Sequence, residues 1–195
     1  MAVFVTKEMA HPYELLMHCI TGLWNAEVAL VISNRPDLEA ETRRFGVKFH
    51  HTPVDPNDKK EHENHQLELL REANIDLVVL ARYMQIVTRR LIAPYRNRMI
   101  NIHHSMLPAF AGARPYQQAY DRGVKLIGAT SHYVTEELDS GPIFAQDVAS
   151  VTHRKSVPEL IEMGRRLETK VLSQAVGLHI NRRVLVEDGR TIIFD

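Results

Sequence analysis

Short apolar runs rich in Val and Ile recur along the chain, separated by longer stretches in which apolar positions return every three or four residues. Residues 3–6, 28–33, 48–51, 77–81 and 100–103 read as strands, and 12–21, 36–45, 59–72 and 89–94 read as helices. Pro12 and Pro36 suit a first helical turn, where a missing N–H costs nothing. Leu77-Val78-Val79-Leu80 is apolar without alternation, the pattern of a central strand buried on both faces. Further on, 115–122 reads as a helix, and strands at 127–134 and 143–148 flank the loop TEELDSGP. Ser156 and Glu159 form a capping box beside Pro158, opening a helix that runs through Glu168 to about residue 178. The tail RRVLVEDGRTIIFD holds two β-rich runs around Asp188-Gly189, a tight-hairpin signal. Such alternation specifies an α/β fold: a Rossmann-like, mostly parallel sheet flanked by helices, with a C-terminal β-hairpin. Without a repeat, a low-complexity tract or a linker, residues 1–195 read as a single domain.

Charge narrows the field of partners. The 24 basic and 24 acidic residues cancel, which gives no electrostatic case for nucleic acid or an anionic membrane. No apolar run reaches membrane-spanning length, and the first ten residues lack a signal-peptide pattern. Cys19 is the sole cysteine, so no internal disulfide is expected and a reducing, cytoplasmic compartment fits. Eleven histidines invite a search for metal spacing, but neither HExxH nor CxxC occurs, and no metal site is expected.

The stretch NIHHSMLPAF, beginning at Asn101, is where chemistry is expected. On a strand, side chains two apart share a face, so Asn101 and His103 project together, about 6.6 Å apart along the chain, while His104 points the other way. In open α/β sheets ligands bind beyond the carboxyl ends of the strands. An amide there can donate to a developing oxyanion, and an imidazole can move a proton. The plainer reading is a turn-forming Asn and a satisfied polar His. Chelation of a metal by His103 and His104 is disfavoured, because neighbours on a strand diverge. A second constellation, GATSHYVTEELDSGP, sets His132 on a strand and Asp139 in the loop that follows, from which a carboxylate could orient His103 and stabilise its protonated form. Taken alone, Asp139-Ser140-Gly141 is a common turn sequence.

NIHHSMLPAFAGARPYQQAY together with GVKLIGATSHYVTEELDSGPIFAQDV resembles the core of the folate-dependent formyltransferase superfamily, and HHS, the GAxPYxQAY run and LARYMQI resemble its deformylase branch. With VISNRPDL near residue 31, the likeness extends over nearly the whole chain. It implies a formyltransferase fold with Asn101, His103 and Asp139 as the catalytic trio, and His132 near the formyl group and its water. Arg82, Tyr83, Met84, Gln85, Ile86 and Val87 correspond to the loop whose backbone borders the pterin ring. The opposite wall, with Leu138 and Gly141, corresponds to residues 138–143. Without the family, 82–87 reads as a strand end turning into a helix. No prosthetic group is implied; 10-formyltetrahydrofolate would be the substrate, and a homo-oligomer, dimer or tetramer, is expected.

The acceptor of the formyl group is water or an amine such as glycinamide ribonucleotide. A phosphorylated amine needs a glycine-rich cradle after the first strand, but TKEMAHPYELL has no glycine between Thr6 and Leu15, which favours water. Gln85 stands where the glycinamide ribonucleotide enzymes typically carry Arg. His11 falls where the deformylases also carry a histidine, the other reading being an exposed loop residue; Pro12 departs from their usual pattern. The expectation is therefore hydrolysis of 10-formyltetrahydrofolate to formate and tetrahydrofolate, supplying formate to purine biosynthesis and balancing one-carbon pools. A formyltransferase acting on glycinamide ribonucleotide and a non-catalytic folate-binding module are the alternatives. The deformylases usually carry an N-terminal ligand-sensing domain of the ACT type, whereas this sequence starts at the first catalytic strand, which leaves regulation by small effectors in doubt.

Overall fold

The apolar runs become the strands of a sheet in the computed structural model, which describes residues 1–55, 58–108 and 115–194. Residues 109–114, which take in the end of the NIHHSMLPAF stretch and the first three residues of GAxPYxQAY, lie outside them. The chain divides into two compact units, Met1–Asn101 with Tyr133–Gly141, and Ile102–His132 with Pro142–Asp195. Seven strands form one sheet in the order β3-β2-β1-β4-β5-β6-β7, and a separate β8-β9 hairpin follows.

In the first unit, β1 (Ala2–Val5), β2 (Leu30–Ser33), β3 (Lys48–His51), β4 (Val78–Leu80) and the start of β5 (Met99–His103) pair in parallel. Every residue of 77–81 is buried, as its unbroken apolar run predicts, because β4 lies between β1 and β5. Helices α1 (Ala10–Ile20), α2 (Glu39–Arg44), α3 (Lys59–Glu72) and α4 (Arg89–Ile92), the last running into a 3-10 turn at Ala93–Tyr95, alternate with the strands. Phe4, Ile32, Leu70, Leu80, Leu91 and Met99 belong to the core, where the Tyr83 ring meets Phe4 edge-on at 5.3 Å.

Two helix starts differ from the sequence expectation. The α1 helix begins at Ala10, leaving Pro12 still in its first turn. The α2 helix begins only at Glu39, since local bonds close a turn ahead of it: Arg35 N–H donates to Ser33 Oγ (3.1 Å), Arg35 Nε pairs with Asp37 (2.8 Å), and Glu39 N–H donates to the Pro36 carbonyl (3.0 Å).

The second unit holds α5 (Pro115–Asp121), β6 (Leu126–Tyr133, whose last residue belongs to the first unit), β7 (Ile143–Ser150), α6 (Val157–Ile180), β8 (Val184–Glu187) and β9 (Arg190–Ile193). Strands β6 and β7 are antiparallel, and Ile127, Val151 and Leu160 share a core cluster with Tyr116 and Ala119 of α5. The capping box forms as expected, with Ser156 N–H donating to Glu159 at 2.8 Å. Lys155 and then Ser156 hold the Glu159 carboxyl down to about 2. Asp188 and Gly189 both take positive φ, 46° and 74°, the geometry of a primed hairpin turn.

Candidate active site

The carboxyl ends of β1, β2 and β4 are laced together by short polar side chains. Thr6 Oγ1 donates to Asn34 Oδ1 and accepts from Met84 N–H, both at 3.0 Å, and Ser33 Oγ donates to the Thr6 carbonyl at 3.1 Å. Arg82, at the end of β4, holds φ +58° and pairs with Glu8 of the loop after β1 at 3.5 Å. A left-handed arginine is uncommon and costs about 1 kcal/mol or more, and such residues cluster at functional sites. His11 is only 1% exposed, which rules out the surface-loop reading: the residue lies inside the first turn of α1 rather than before it.

The segment that follows Arg82 is fixed at both ends. Tyr83 is buried with its hydroxyl 3.0 Å from Gln66 Nε2, and burial pushes its phenol up to about 12, Gln66 opposing. At the far end Thr88 caps α4 and bonds to Glu63. Between these points Met84 and Ile86 are 59% and 63% exposed, while Gln85 and Val87 are half-buried. Apolar side chains that prominent on an anchored loop form a surface suited to contact with a ligand or a partner.

The loop 133–141 is pinched at its neck. A Cβ on Gly141 would lie 1.7 Å from the Tyr133 carbonyl oxygen, so only glycine permits the closure. Val134 N–H donates to the Met99 carbonyl (2.8 Å), tying the neck to β5. Inside the loop, Thr135 Oγ1 donates to the Glu137 carbonyl and Ser140 Oγ to that of Leu138, and Asp139 takes φ +55°. Leu138 is 64% exposed. Arg89, one residue past Thr88, meets Glu136 at 3.3 Å. Both side chains are exposed, so the pair adds at most about 1 kcal/mol. Its value is as a marker that the two loops stand side by side.

The first unit therefore carries Asn101, Asp139, Leu138, Gly141 and the whole 82–87 segment, and the second carries His103 and His132. Asn101 and His103 are two apart on β5, Asn101 half-buried and His103 buried. His132 is buried near the end of β6, beside an irregularity in the β6/β7 register between Ser131 and His132, a feature that often re-aims side chains near active sites. His104 does not behave as a strand neighbour pointing away. The strand ends at His103, and the two rings lie 5.2 Å apart at 32°. Among the described residues, no group of three His, Cys, Asp or Glu side chains could hold a metal ion, and no helix is long and apolar enough to cross a membrane.

Thr6, Glu8, Glu63, Gln66 and Thr88 support these candidates without having stood out in the sequence. A signal for two of them exists: Glu63, Gln66, Leu67 and Leu70 follow the i, i+3, i+4, i+7 spacing of a buried helix stripe. Two polar residues on an apolar face imply buried partners.

A mostly parallel sheet with polar side chains at its strand ends defines an α/β architecture, and the sequence match gives its class: the chain belongs to the formyl transferase family, which residues 1–176 match. Its relatives give a finer likeness. It is 48% identical over 194 residues to formyltetrahydrofolate deformylase of Bacillus subtilis, a similarity covering 100% of this chain and 65% of that protein. The crystal structure of a formyltetrahydrofolate deformylase from Pseudomonas syringae superposes with a TM-score of 0.96 at 44% identity, again over 100% of this chain and 65% of that one. The chain thus spans just under two thirds of the length of these two relatives. Glycinamide ribonucleotide transformylase 1 from Symbiobacterium toebii is similar at 34% identity and a TM-score of 0.92, over 100% of this chain and 93% of that chain.

Proposed function

We propose that the chain hydrolyses the N-formyl group of 10-formyltetrahydrofolate, giving formate and tetrahydrofolate. The observation that carries this reading is the juxtaposition of two walls within one unit: the anchored segment with exposed Met84 and Ile86, and the pinched loop with exposed Leu138, bridged by Arg89 and Glu136. Such walls suit a flat, partly apolar ring such as the pterin of the folate that these family members handle.

The chemistry follows from the residue types. Water adds to the formyl carbon while the His103 imidazole takes its proton. Asn101 donates to the oxyanion of the tetrahedral adduct, a contact of a kind worth about 3–4 kcal/mol of barrier. Asp139 supports the protonated imidazole, and His132 borders the formyl group and the water. The C–N bond then breaks as the proton passes to N10, so tetrahydrofolate leaves as a neutral amine and the formyl carbon leaves as formate. Formate so released would supply purine biosynthesis and balance the one-carbon pool.

The likeness to a glycinamide ribonucleotide transformylase, which this chain matches over 93% of that chain, favours a second reading, transfer to an amine. The loop after β1 speaks against it. It has no glycine from which to build a phosphate cradle. Incubation with 10-formyltetrahydrofolate, with and without glycinamide ribonucleotide, separates the two. Formate release independent of the amine supports hydrolysis, and strict dependence on the amine overturns it. The half-exposed Leu185, Ile192, Ile193 and Phe194 around the final hairpin support a homo-oligomer, dimer or tetramer, and the single half-buried Cys19 supports a cytoplasmic setting.

A further inference from the structure

Helix α3 carries a buried acid and a buried amide three residues apart, and both reach the ends of the 82–88 segment. Glu63 is 3% exposed and Gln66 is 1% exposed, on a face they share with Leu67 and Leu70. Burying a carboxylate is costly unless its oxygens are taken up by donors. Here Thr88 supplies both: its backbone N–H donates to Glu63 Oε1 at 2.7 Å, and its hydroxyl donates to Oε2. The same hydroxyl accepts from Arg90 N–H at 3.3 Å, so the helix cap and the carboxylate form one chain of bonds. At the other end, Gln66 Nε2 lies 3.0 Å from the Tyr83 hydroxyl, 3.0 Å from His62 Nε2 and 3.2 Å from Thr52 Oγ1. Only residues 84–87 hang between these two fixed points, and Met84 N–H is itself held by Thr6.

We infer that Glu63 and Gln66 are positioning residues for folate binding. They clamp the segment in the shape that presents Met84 and Ile86, so that little backbone freedom is lost when a ring docks. A loop ordered beforehand raises affinity by lowering the entropic cost of binding rather than by adding contacts. The clamp touches no reacting atom, and it therefore acts on binding and leaves turnover alone. This inference rests on the reading that residues 82–87 border the folate ring.

The test compares Glu63→Gln, which keeps one acceptor for the Thr88 N–H, with Glu63→Leu and Gln66→Leu. Three quantities are measured on the purified chain: KM and kcat with 10-formyltetrahydrofolate, Kd for tetrahydrofolate by calorimetry, and amide hydrogen exchange across residues 83–88. For the two Leu variants KM and Kd rise about tenfold, equivalent to about 1.4 kcal/mol, with kcat within about threefold of the parent. Exchange at 84–88 accelerates, and Glu63→Gln falls between. Lower thermal stability with KM, Kd and exchange unchanged would assign the pair a merely structural role and overturn the inference. Should the Leu variants fail to fold, Glu63→Gln and Thr88→Val decide by the same readouts. Faster exchange with unchanged Kd, joined by unchanged Kd in Met84→Ala and Ile86→Ala, leaves the clamp standing and removes the ring-binding role of the segment instead.

Discussion

Replacing Gly164 by Ala sets two physical effects against each other at one atom. Gly164 lies inside α6, where alanine is favoured over glycine by about 1 kcal/mol, so helix propensity alone predicts a gain. The added Cβ, however, would lie 2.0 Å from the Tyr116 hydroxyl oxygen, 2.1 Å from Cζ and 2.4 Å from Cε1. Carbon contacts settle near ~3.5–4.0 Å, so the ring must retreat by roughly 1.5 Å. Overpacking of that kind costs about 1–3 kcal/mol. Retreat also breaks the 2.6 Å bond from the Tyr116 hydroxyl to Glu168, whose side chain is fully buried, at a further cost of about 1–3 kcal/mol. The balance is a loss of about 1–5 kcal/mol, centred near 3. Urea denaturation of parent and variant measures it, and a loss near ~3 kcal/mol should lower the thermal midpoint by about 6–12 °C for a chain of this size. In a Tyr116→Leu background the obstacle is gone, and the same Gly164→Ala change should become neutral or stabilising by up to about 1 kcal/mol. A Gly164→Ala protein as stable as the parent, or an equal loss in both backgrounds, refutes the reasoning.

Asn101→Ala and His103→Ala should each lower kcat by at least ~100-fold with the circular dichroism spectrum unchanged; near-parent rates in either variant would remove the role proposed for it. Gly141→Ala opens the neck of the Asp139 loop, because its Cβ meets backbone that cannot rotate away. Steady-state kinetics should show a fall in kcat of about tenfold or more, with global stability reduced by only about 1–3 kcal/mol. Burial, above all other influences, holds the imidazoles of His50 and His62 below their usual range. The unfolded chain takes up those protons near pH ~6.5 and the folded chain only at lower pH, so stability is lost as pH falls through that value. Urea midpoints at pH 7.5 and 5.5 should show the drop, and His62→Gln should lessen it; equal midpoints for the parent at the two pH values would contradict it.

What could be read in advance was what depends on neighbours in sequence. Leu77 to Leu80 declared a doubly buried strand because four apolar residues without alternation leave no polar face. Ser156 and Glu159 declared the start of α6, and Asp188-Gly189 the hairpin, because caps and primed turns are local bonds within a few residues. The α2 start was misread for the same reason in reverse: Arg35 and Asp37 close a turn of their own, and a proline rule cannot weigh that competition. For the candidate site, residue types and their spacing singled out Asn101, His103 and Asp139, and a family likeness gave them roles and added His132 and the two loops.

The sequence by itself determined the elements, their order and the polar groups available for chemistry, since hydrophobic period, caps and turns act over one or two turns of chain. Tertiary structure alone decided that His11 is buried, that Arg82 bends into the left-handed region toward Glu8, and that Gly141 passes against Tyr133. It also decided that Glu63 and Gln66 hold a loop some twenty residues away. Each of these depends on a partner brought close by folding, and burial, close approach and hydrogen-bond satisfaction are properties of pairs that no single position encodes.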